Sequence, residues 1–551
     1  MKSQICCILI IFLLSLSSTG SAHQTQHAQI EADNRNTLFV GGSGPNNYTT
    51  IQSAIYAASE GDTIFVFDES SPYYENIIID KSINLKGEHK KTTIIDGQGN
   101  GDTILCRANN THIQGFTIQN GYKPGGYWWI AGIQLTICNF CIINNNIITG
   151  NYYGLRLYGS ENCMITNNTI QLNEITGIWV HNQCYNSAIT NNIIENNDCA
   201  GIKIEDTQYC IVDKNIIINN PFDGIQLDCV AHTKISNNDI FENGYNAISM
   251  RSSYENTVIN NELKTNGLLI SQVHLINNTV DNNFVDGKPL VYLTDESDQI
   301  IANAGQVILL RCDRITVKDL LISHVFYGIQ TYSCDDCTIT NNILKENYAA
   351  IYIGYDYPEV FHNLQITQNE ITNNQNGIIL NYCIEAEISE NEIKNNANTA
   401  LRISGKNHNI CYNTIESNSE GIYAKGLQHT IHHNILKKNK IGIYADRLES
   451  SILSKNLITT NNHGIYLESS TKNIISKNNI YKNYITEAFF KDSLNNIWRR
   501  NYWNKLFGPK IIFGLKYYYP SIWGPPTIIP VLCIDLNPKK TPYPITSIEE
   551  I

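Results

Sequence analysis

Asn168-Thr-Ile-Gln-Leu-Asn173-Glu-Ile-Thr-Gly177-Ile-Trp179-Val180 is the stretch that decides the fold, because it recurs with substitutions from about residue 140 to about residue 485. Read as Asn-x-Ile-x-x-Asn, with Leu or Val allowed for Ile, it places its first Asn at Asn146, Asn168, Asn192, Asn215, Asn238, Asn261 and Asn278. After a gap it resumes at Asn342, Asn369, Asn391, Asn413, Asn434, Asn456 and Asn478, and Asp319 supplies a register inside the gap. Most steps are 21 to 24 residues. A fixed period of that length means a solenoid, each unit burying its apolar face against the next.

Short runs of period-two alternation, rich in Ile and broken by Asn, Gly and Ser, fill each repeat, and no helical periodicity separates them. Three short strands per coil of about 22 residues make an all-β parallel β-helix with coils about 4.8 Å apart. The Asn columns then have a structural reason. A stacked amide donates to one coil and accepts from another, and Asn tolerates the left-handed conformation that tight corners need.

The chain has 551 residues, 16% of them charged, and a net charge of −12, which argues against a nucleic-acid partner. By length it could hold several domains, but a repeat array overrides that prior, and one long domain spanning 37–485 is expected. Met1–Ala22 carries Lys2, an apolar run from Ile5 to Leu16 and small residues before Ala22, the pattern of a secretory signal. Residues 23–36 read as a polar, disordered leader. A secreted or extracytoplasmic, cell-surface-associated protein is expected, with no transmembrane anchor once the signal is removed.

Cys6 and Cys7 lie within the apolar run. Among the other cysteines, Cys141, Cys163, Cys210 and Cys337 stand five residues before the register residue, and Cys138, Cys184, Cys334 and Cys383 stand eight before it. Two stacked columns of small buried corner residues would place them so. Disulfides are the second reading, and a metal site at Cys138-x-x-Cys141 or Cys334-x-x-Cys337 is the third, lacking further ligands in view.

Tyr48 to Ala58 has apolar residues at helical spacing behind a Thr49 or Thr50 N-cap, so a short helix over about 50–59 is expected to cover the open end of the solenoid. Thr50-Ile-Gln52, Gly61-Asp62-Thr-Ile64, Ser82-Ile-Asn-Leu-Lys-Gly87, Thr93-Ile-Ile-Asp96-Gly97 and Gly115-Phe-Thr-Ile-Gln-Asn120-Gly121 resemble the opening coils of pectin-lyase-like right-handed β-helix proteins. Gly287-Lys-Pro289, Ala304-Gly-Gln306-Val307 and Tyr327-Gly-Ile-Gln330 resemble the central coils of the NosD type within that superfamily. The resemblance covers residues 37–485. It implies the right-handed fold, and for the NosD type a link to copper delivery during maturation of an exported copper enzyme. The architecture hosts lyases, hydrolases, epimerases, adhesins and accessory proteins alike.

Residues 121–131 interrupt the repeat with a Gly/Pro loop carrying Trp128 and Trp129, which either offers rings for stacking on sugars or folds back on itself. A wider coil over 279–318 carries the acidic tip Asp295-Glu-Ser-Asp298. In the last 55 residues fall eight of the 14 prolines and three of the six tryptophans, so an irregular C-terminal cap over 486–551 is expected.

Counting from each repeat Gly or Ala, even offsets point outward. His181, Glu205, Asp228 and Arg251 then form one column over four coils, with Trp179 and Lys203 alongside. Two carboxylates at that spacing suit acid–base work on a glycosidic bond. As an enzyme, the chain would be a polysaccharide lyase or glycoside hydrolase using Glu205 and Asp228 as acid and base, His181 as assisting base and Arg251 as carboxylate clamp. The plain alternative is a solvated face with alternating charges. Tyr423, Tyr444 and Tyr466 form a second outward stripe, either a sugar platform or a sheet-favouring choice. His408 and His429 share a register and are weak metal candidates. Calcium and copper stay open as cofactors, though neither an Asp-Pro-His-Glu motif nor a calcium-binding nonapeptide repeat is present. The reading is an exported β-helix that acts as a carbohydrate-binding or structural cell-surface protein without turnover, its partner an extracellular polysaccharide or cell-envelope component. The enzyme and the copper-handling accessory factor are its alternatives.

Overall fold

The computed structural model describes residues 36–122, 129–271, 277–354, 362–504, 509–518 and 527–544. Almost all of the expected signal and leader, and Trp128, lie outside them. The described chain winds as a right-handed parallel β-helix with three strands per coil, such as Ile142–Asn144, Ile147–Thr149 and Tyr153–Tyr158. Successive coils pair in register, Ile143 over Ile165 and Ile148 over Ile170. Inward Ile, Leu and Val side chains are fully buried throughout, which supplies the main driving force for stacking.

The one helix among the described residues, Ile51–Ala57, buries Ile51, Ala54 and Ile55 over the first coils. Thr50 Oγ1 accepts the Ser53 N–H at 3.2 Å, and the Glu75 carboxylate accepts those of Ile51 and Gln52 at 2.8 and 2.9 Å. The first-turn donors are thereby satisfied.

The Asn columns form buried ladders. Asn192 Oδ1 accepts both the backbone N–H and the Nδ2 of Asn168, at 3.0 and 3.1 Å, while Asn168 Nδ2 also donates to Ile143 O at 2.9 Å. Two registers read from sequence need correction. The rung above Asn261 is Asn283, not Asn278, which instead continues the column of Asn256. Inside the gap the rung is Leu320 rather than Asp319, since the Leu320 N–H donates to Asn342 Oδ1 at 3.1 Å and Asp319 takes the left-handed corner, φ 57°. Local pattern matching cannot see that a Leu has replaced the Asn.

The corner columns share one task. Ser160 Oγ accepts the Cys138 N–H at 3.2 Å, Cys184 Sγ that of Ser160 at 3.3 Å, and Thr233 Oγ1 that of Cys210 at 3.2 Å. Cys, Ser, Thr, Asn and His interchange there because each places one acceptor over the coil before. Cys138, Cys141, Cys163, Cys184, Cys210, Cys334, Cys337 and Cys383 are all buried and carry free thiols.

The solenoid has a joint. Leu268–Ser271 ends one nine-stranded sheet, and Phe284–Val285 turns back antiparallel onto Lys288–Thr294, which starts the next face. Side chains close the exposed edge in place of a strand. Gln306 accepts from Leu268 N at 2.8 Å and donates to Leu268 O at 2.9 Å, and Gln330 Nε2 donates to Ile270 O at 2.6 Å. Gly267 is required there, because a Cβ would lie 2.2 Å from Gln306 Oε1. Gln330 and Tyr332, outward by offset, are buried for this reason.

The coils also run past residue 485: Thr486–Lys491 and Ile497–Arg499 pair parallel with the strands before them. The cap that follows is a long antiparallel hairpin, Lys510–Tyr518 with Thr527–Asp535, where an irregular cap is expected from proline content. Buried Asp535 is the last rung of the ladder, its carboxylate accepting Asn501 N and Nδ2 at 3.0 and 3.1 Å and Trp503 Nε1 at 3.0 Å.

Candidate functional site

Two outward columns run side by side over the early coils. Gln134, Arg156, Trp179 and Lys203 pair in register in one, and Thr136, Tyr158, His181 and Glu205 in the other. All of these but Lys203 line a cavity of about 590 Å³, together with Trp129, Asn182 and Asp206. The Trp129 and Trp179 rings stack at 5.8 Å and 24°, and Trp179 lies flat against His181 at 4.0 Å and 12°. Trp179 and His181 are thus outward in direction yet only 9% exposed, while Trp129 remains half exposed. Trp129 therefore packs on Trp179 and still offers half its surface to solvent.

Arg156 sits at the centre, 6% exposed. Its guanidinium lies 5.0 Å from the Trp129 ring, 5.1 Å from Trp179 and 5.4 Å from Tyr158. Nη1 donates to Gln134 Oε1 at 3.1 Å, and Nε has no partner. His181 Nε2 is likewise buried and unpartnered. Burial, with the Arg156 charge beside it, draws the His181 pKa down to about 4, so the ring is neutral at neutral pH. Counted from Gly154, Arg156 has an even offset and points outward, but the sequence marks it with no role. Its surroundings depend on Trp129, which no repeat pattern positions.

Of the expected catalytic column, His181, Glu205, Asp228 and Arg251 do pair in register. Only His181 and Glu205 line the cavity. Glu205 accepts from Lys203 Nζ at 2.9 Å and Trp179 Nε1 at 3.3 Å. Asp228 lies one coil on, accepting from Gln226 Nε2 at 2.8 Å. Arg251 does not serve as a clamp over the cavity: its side chain is 62% exposed and reaches Asp228 at 3.7 Å. The solenoid stacks them, but the roof covers only the earlier coils.

Tyr423, Tyr444 and Tyr466 stack in register, extended by Phe489. Neighbouring Tyr rings meet edge to face, at 5.3 Å and 85° and at 5.2 Å and 77°. Tyr423 and Tyr444 donate their hydroxyls to Asp446 and Glu468 at 2.7 and 2.6 Å. The stripe satisfies itself and encloses no cavity of the kind built around Trp179.

His408 and His429 are buried and stack at 4.7 Å. Each Nδ1 accepts a backbone N–H from the coil before at 3.2 Å, and each Nε2 meets a carbonyl, Ser404 O at 3.1 Å and Lys425 O at 3.0 Å. Both nitrogens are engaged as corner groups, which leaves no free lone pair for a metal. Among the described residues two groups of donors converge, the buried thiols of Cys106, Cys138 and Cys141 and the side chains of Asp68, Glu88 and His89, the atoms of each within 4.8 Å of one another. Cys106 is a neighbour of Cys138-x-x-Cys141 that sequence spacing left out of view.

The family model described as "Right handed beta helix region" matches residues 104–229, 131–288 and 376–505. That described as "Periplasmic copper-binding protein (NosD)" matches residues 291–440, a span that contains the engaged histidine pair but not the thiol cluster. The chain is 30% identical to a cell surface glycoprotein of Methanothermus fervidus over 154 residues, 28% of this chain and 22% of that protein, so it spans about a fifth of that relative. Among solved structures, DFA-IIIase of Arthrobacter chlorophenolicus in complex with GF2 is 12% identical, the match covering 67% of this chain and 95% of that one with a TM-score of 0.35. The A-module of the mannuronan C-5 epimerase of Azotobacter vinelandii is 12% identical over 62% and 88%, with a TM-score of 0.27.

Proposed function

The chain belongs to the right-handed β-helix family, and from that premise we propose that it is an extracytoplasmic surface protein that binds a saccharide in the Trp129–Trp179 cavity without turning it over. The observation that carries the reading is the cavity itself. A space of about 590 Å³ on an outward solenoid face is lined by two stacked indoles and by Arg156, His181 and Glu205, the combination of flat apolar faces and directed polar groups that suits a sugar. Surface location is supported by the likeness to a cell surface glycoprotein and by the periplasmic description of the family matched at 291–440. Binding without chemistry is supported by the state of the two carboxylates: Glu205 is held by Lys203 and Trp179, and Asp228 lies outside the cavity lining.

The test is to titrate the protein with a panel of neutral and acidic polysaccharides by calorimetry, then analyse the polymers for cleavage. Saturable binding lost in Trp179→Ala, with polymers intact, is the expected result. Shortened or unsaturated products abolished by Glu205→Gln would replace it with the lyase or hydrolase reading.

A further inference from the structure

The outward face of the C-terminal hairpin carries no charge. Lys510–Tyr518 and Thr527–Asp535 set Ile511 opposite Ile534 and Phe513 opposite Leu532, and residues so paired share a face. These four are 47% to 65% exposed, and Leu536, just beyond the strand, is 75% exposed. The other face, through Ile512, Gly514 and Asp535, is buried, and a Cβ on Gly514 would lie 2.3 Å from the Phe490 ring beneath it. Packing on the solenoid is thus complete without the outward residues. A continuous apolar patch on a protein surface marks a contact site.

Cations cluster beside it. In a chain of net charge −12, residues 497–544 hold seven Lys or Arg and one acid, Asp535, and residues 545–551 add only Glu549 and Glu550. Asp535 is spent inside the fold, its Oδ1 accepting the backbone N–H of Arg500 at 3.1 Å and its Oδ2 that of Asn501 at 3.0 Å. From Leu536 the chain runs directly into the lining of a cavity of about 560 Å³, which includes exposed Lys477, Arg500, Lys539 and Lys540. Among the described residues none of these four forms an ion pair, and Lys539 instead lies over the Tyr543 ring at 5.6 Å.

We propose that this cap docks the protein on an anionic lipid surface, the apolar hairpin face entering the interface and the cavity of Lys477, Arg500, Lys539 and Lys540 meeting lipid phosphates. An apolar face with a basic edge seats a protein in the headgroup layer, where burial of the first and attraction of the second add together. A second copy of the chain fits less well. A twofold contact sets each patch on its own counterpart, so cations would face cations, and Pro530 within Thr527–Asp535 offers no N–H for strand pairing.

The experiment is sedimentation of the full chain with vesicles of mixed phosphatidylglycerol and phosphatidylcholine, against vesicles of phosphatidylcholine alone. Wild type is expected to bind the anionic vesicles about 100-fold more tightly, since each cation near a charged bilayer contributes about 5-fold, and added salt should weaken that binding. Phe513→Ser with Leu532→Ser should cost about 10-fold on the same vesicles. Arg500→Gln with Lys539→Gln and Lys540→Gln should remove most of the preference for them. Melting temperatures near wild type show that both variants are folded, and the single substitutions Leu536→Ser and Lys540→Gln take their place where they are not. No binding to anionic vesicles, equal binding to the neutral ones, or binding that both variants leave unchanged overturns the assignment. A dimer in solution that Phe513→Ser with Leu532→Ser dissolves, with no vesicle bound, overturns it in favour of a second copy.

Discussion

The cavity around Trp179 and the stripe Tyr423, Tyr444, Tyr466 occupy outward faces of one solenoid, yet the first encloses space and the second does not. Both are built of stacked aromatics with cations over them, Arg156 on Trp179 and Arg402 on Tyr423 at 5.1 and 5.0 Å. What separates them is a loop. Trp129 arrives from an interruption in the repeat and lies over the early coils. Among the described residues no such ring covers the Tyr stripe, neighbouring Tyr rings there meet edge-on, and Tyr423 and Tyr444 tie their hydroxyls to acids. A repeat supplies a surface, and a break in the repeat makes it a site.

If that contrast is confined to outward faces, the inner framework must respond alike in both halves. Asn215 and Asn413 are equivalent rungs. Each Oδ1 takes the backbone and side-chain N–H of the rung before, at 3.0 Å for Asn192 and at 3.0 and 2.9 Å for Asn391. Asn215→Leu and Asn413→Leu should each cost about 3 kcal/mol, because buried donors lose their acceptor at about 1–3 kcal/mol apiece. Denaturant titration reads the loss. A large effect at Asn215 with none at Asn413 would mean that the halves are not one framework.

Acid should separate the same two regions. Burial lowers the His429 pKa to about 4, so the folded state holds this ring neutral while the unfolded chain binds a proton below about 6.5. Stability from this group is therefore complete above about pH 6.5 and falls as pH drops toward 4, by about 2 kcal/mol at pH 5. His429→Asn keeps the corner acceptor, as Asn256 and Asn278 do natively. It should reduce the pH dependence of melting between pH 7 and 5 by that share, leaving the part due to His408, which burial lowers to about 3. His181, lowered to about 4 in the cavity, should add a similar slope.

The framework was legible because its signals are periodic. Asn, Gly and alternating Ile recur at one spacing, and any single rung can be misread, as at Asn278 and Asp319, without loss of the fold. The joint at Gln306 and Gln330 was illegible because side-chain amides there stand in for backbone, and nothing in local sequence marks that substitution. The cavity was half legible. Trp179, His181 and Glu205 followed from register, whereas Arg156 gained its meaning from Trp129, which lies outside the repeat register. Arg251 was chosen for its charge and column, and the roof ends before it.

The finest division between the two faces lies in single side chains. Trp179→Ala removes a wall of the cavity and should weaken saccharide binding about 10-fold or more, a stacking contribution of about 1.5 kcal/mol, while Tyr444→Ala should leave calorimetric affinity unchanged. The smallest expected effect belongs to Tyr444→Phe. Its hydroxyl bond to Glu468 at 2.6 Å is partly exposed and Glu468 keeps its ion pair with Lys491, so the change should cost under about 1 kcal/mol. The Glu468 pKa, held down first by Lys491 and then by Tyr444, should rise slightly as one donor goes, and NMR titration of the carboxyl resolves that shift. A loss of glycan affinity in Tyr444→Phe would erase the distinction, because a ring that only completes its own sheet has no ligand to lose.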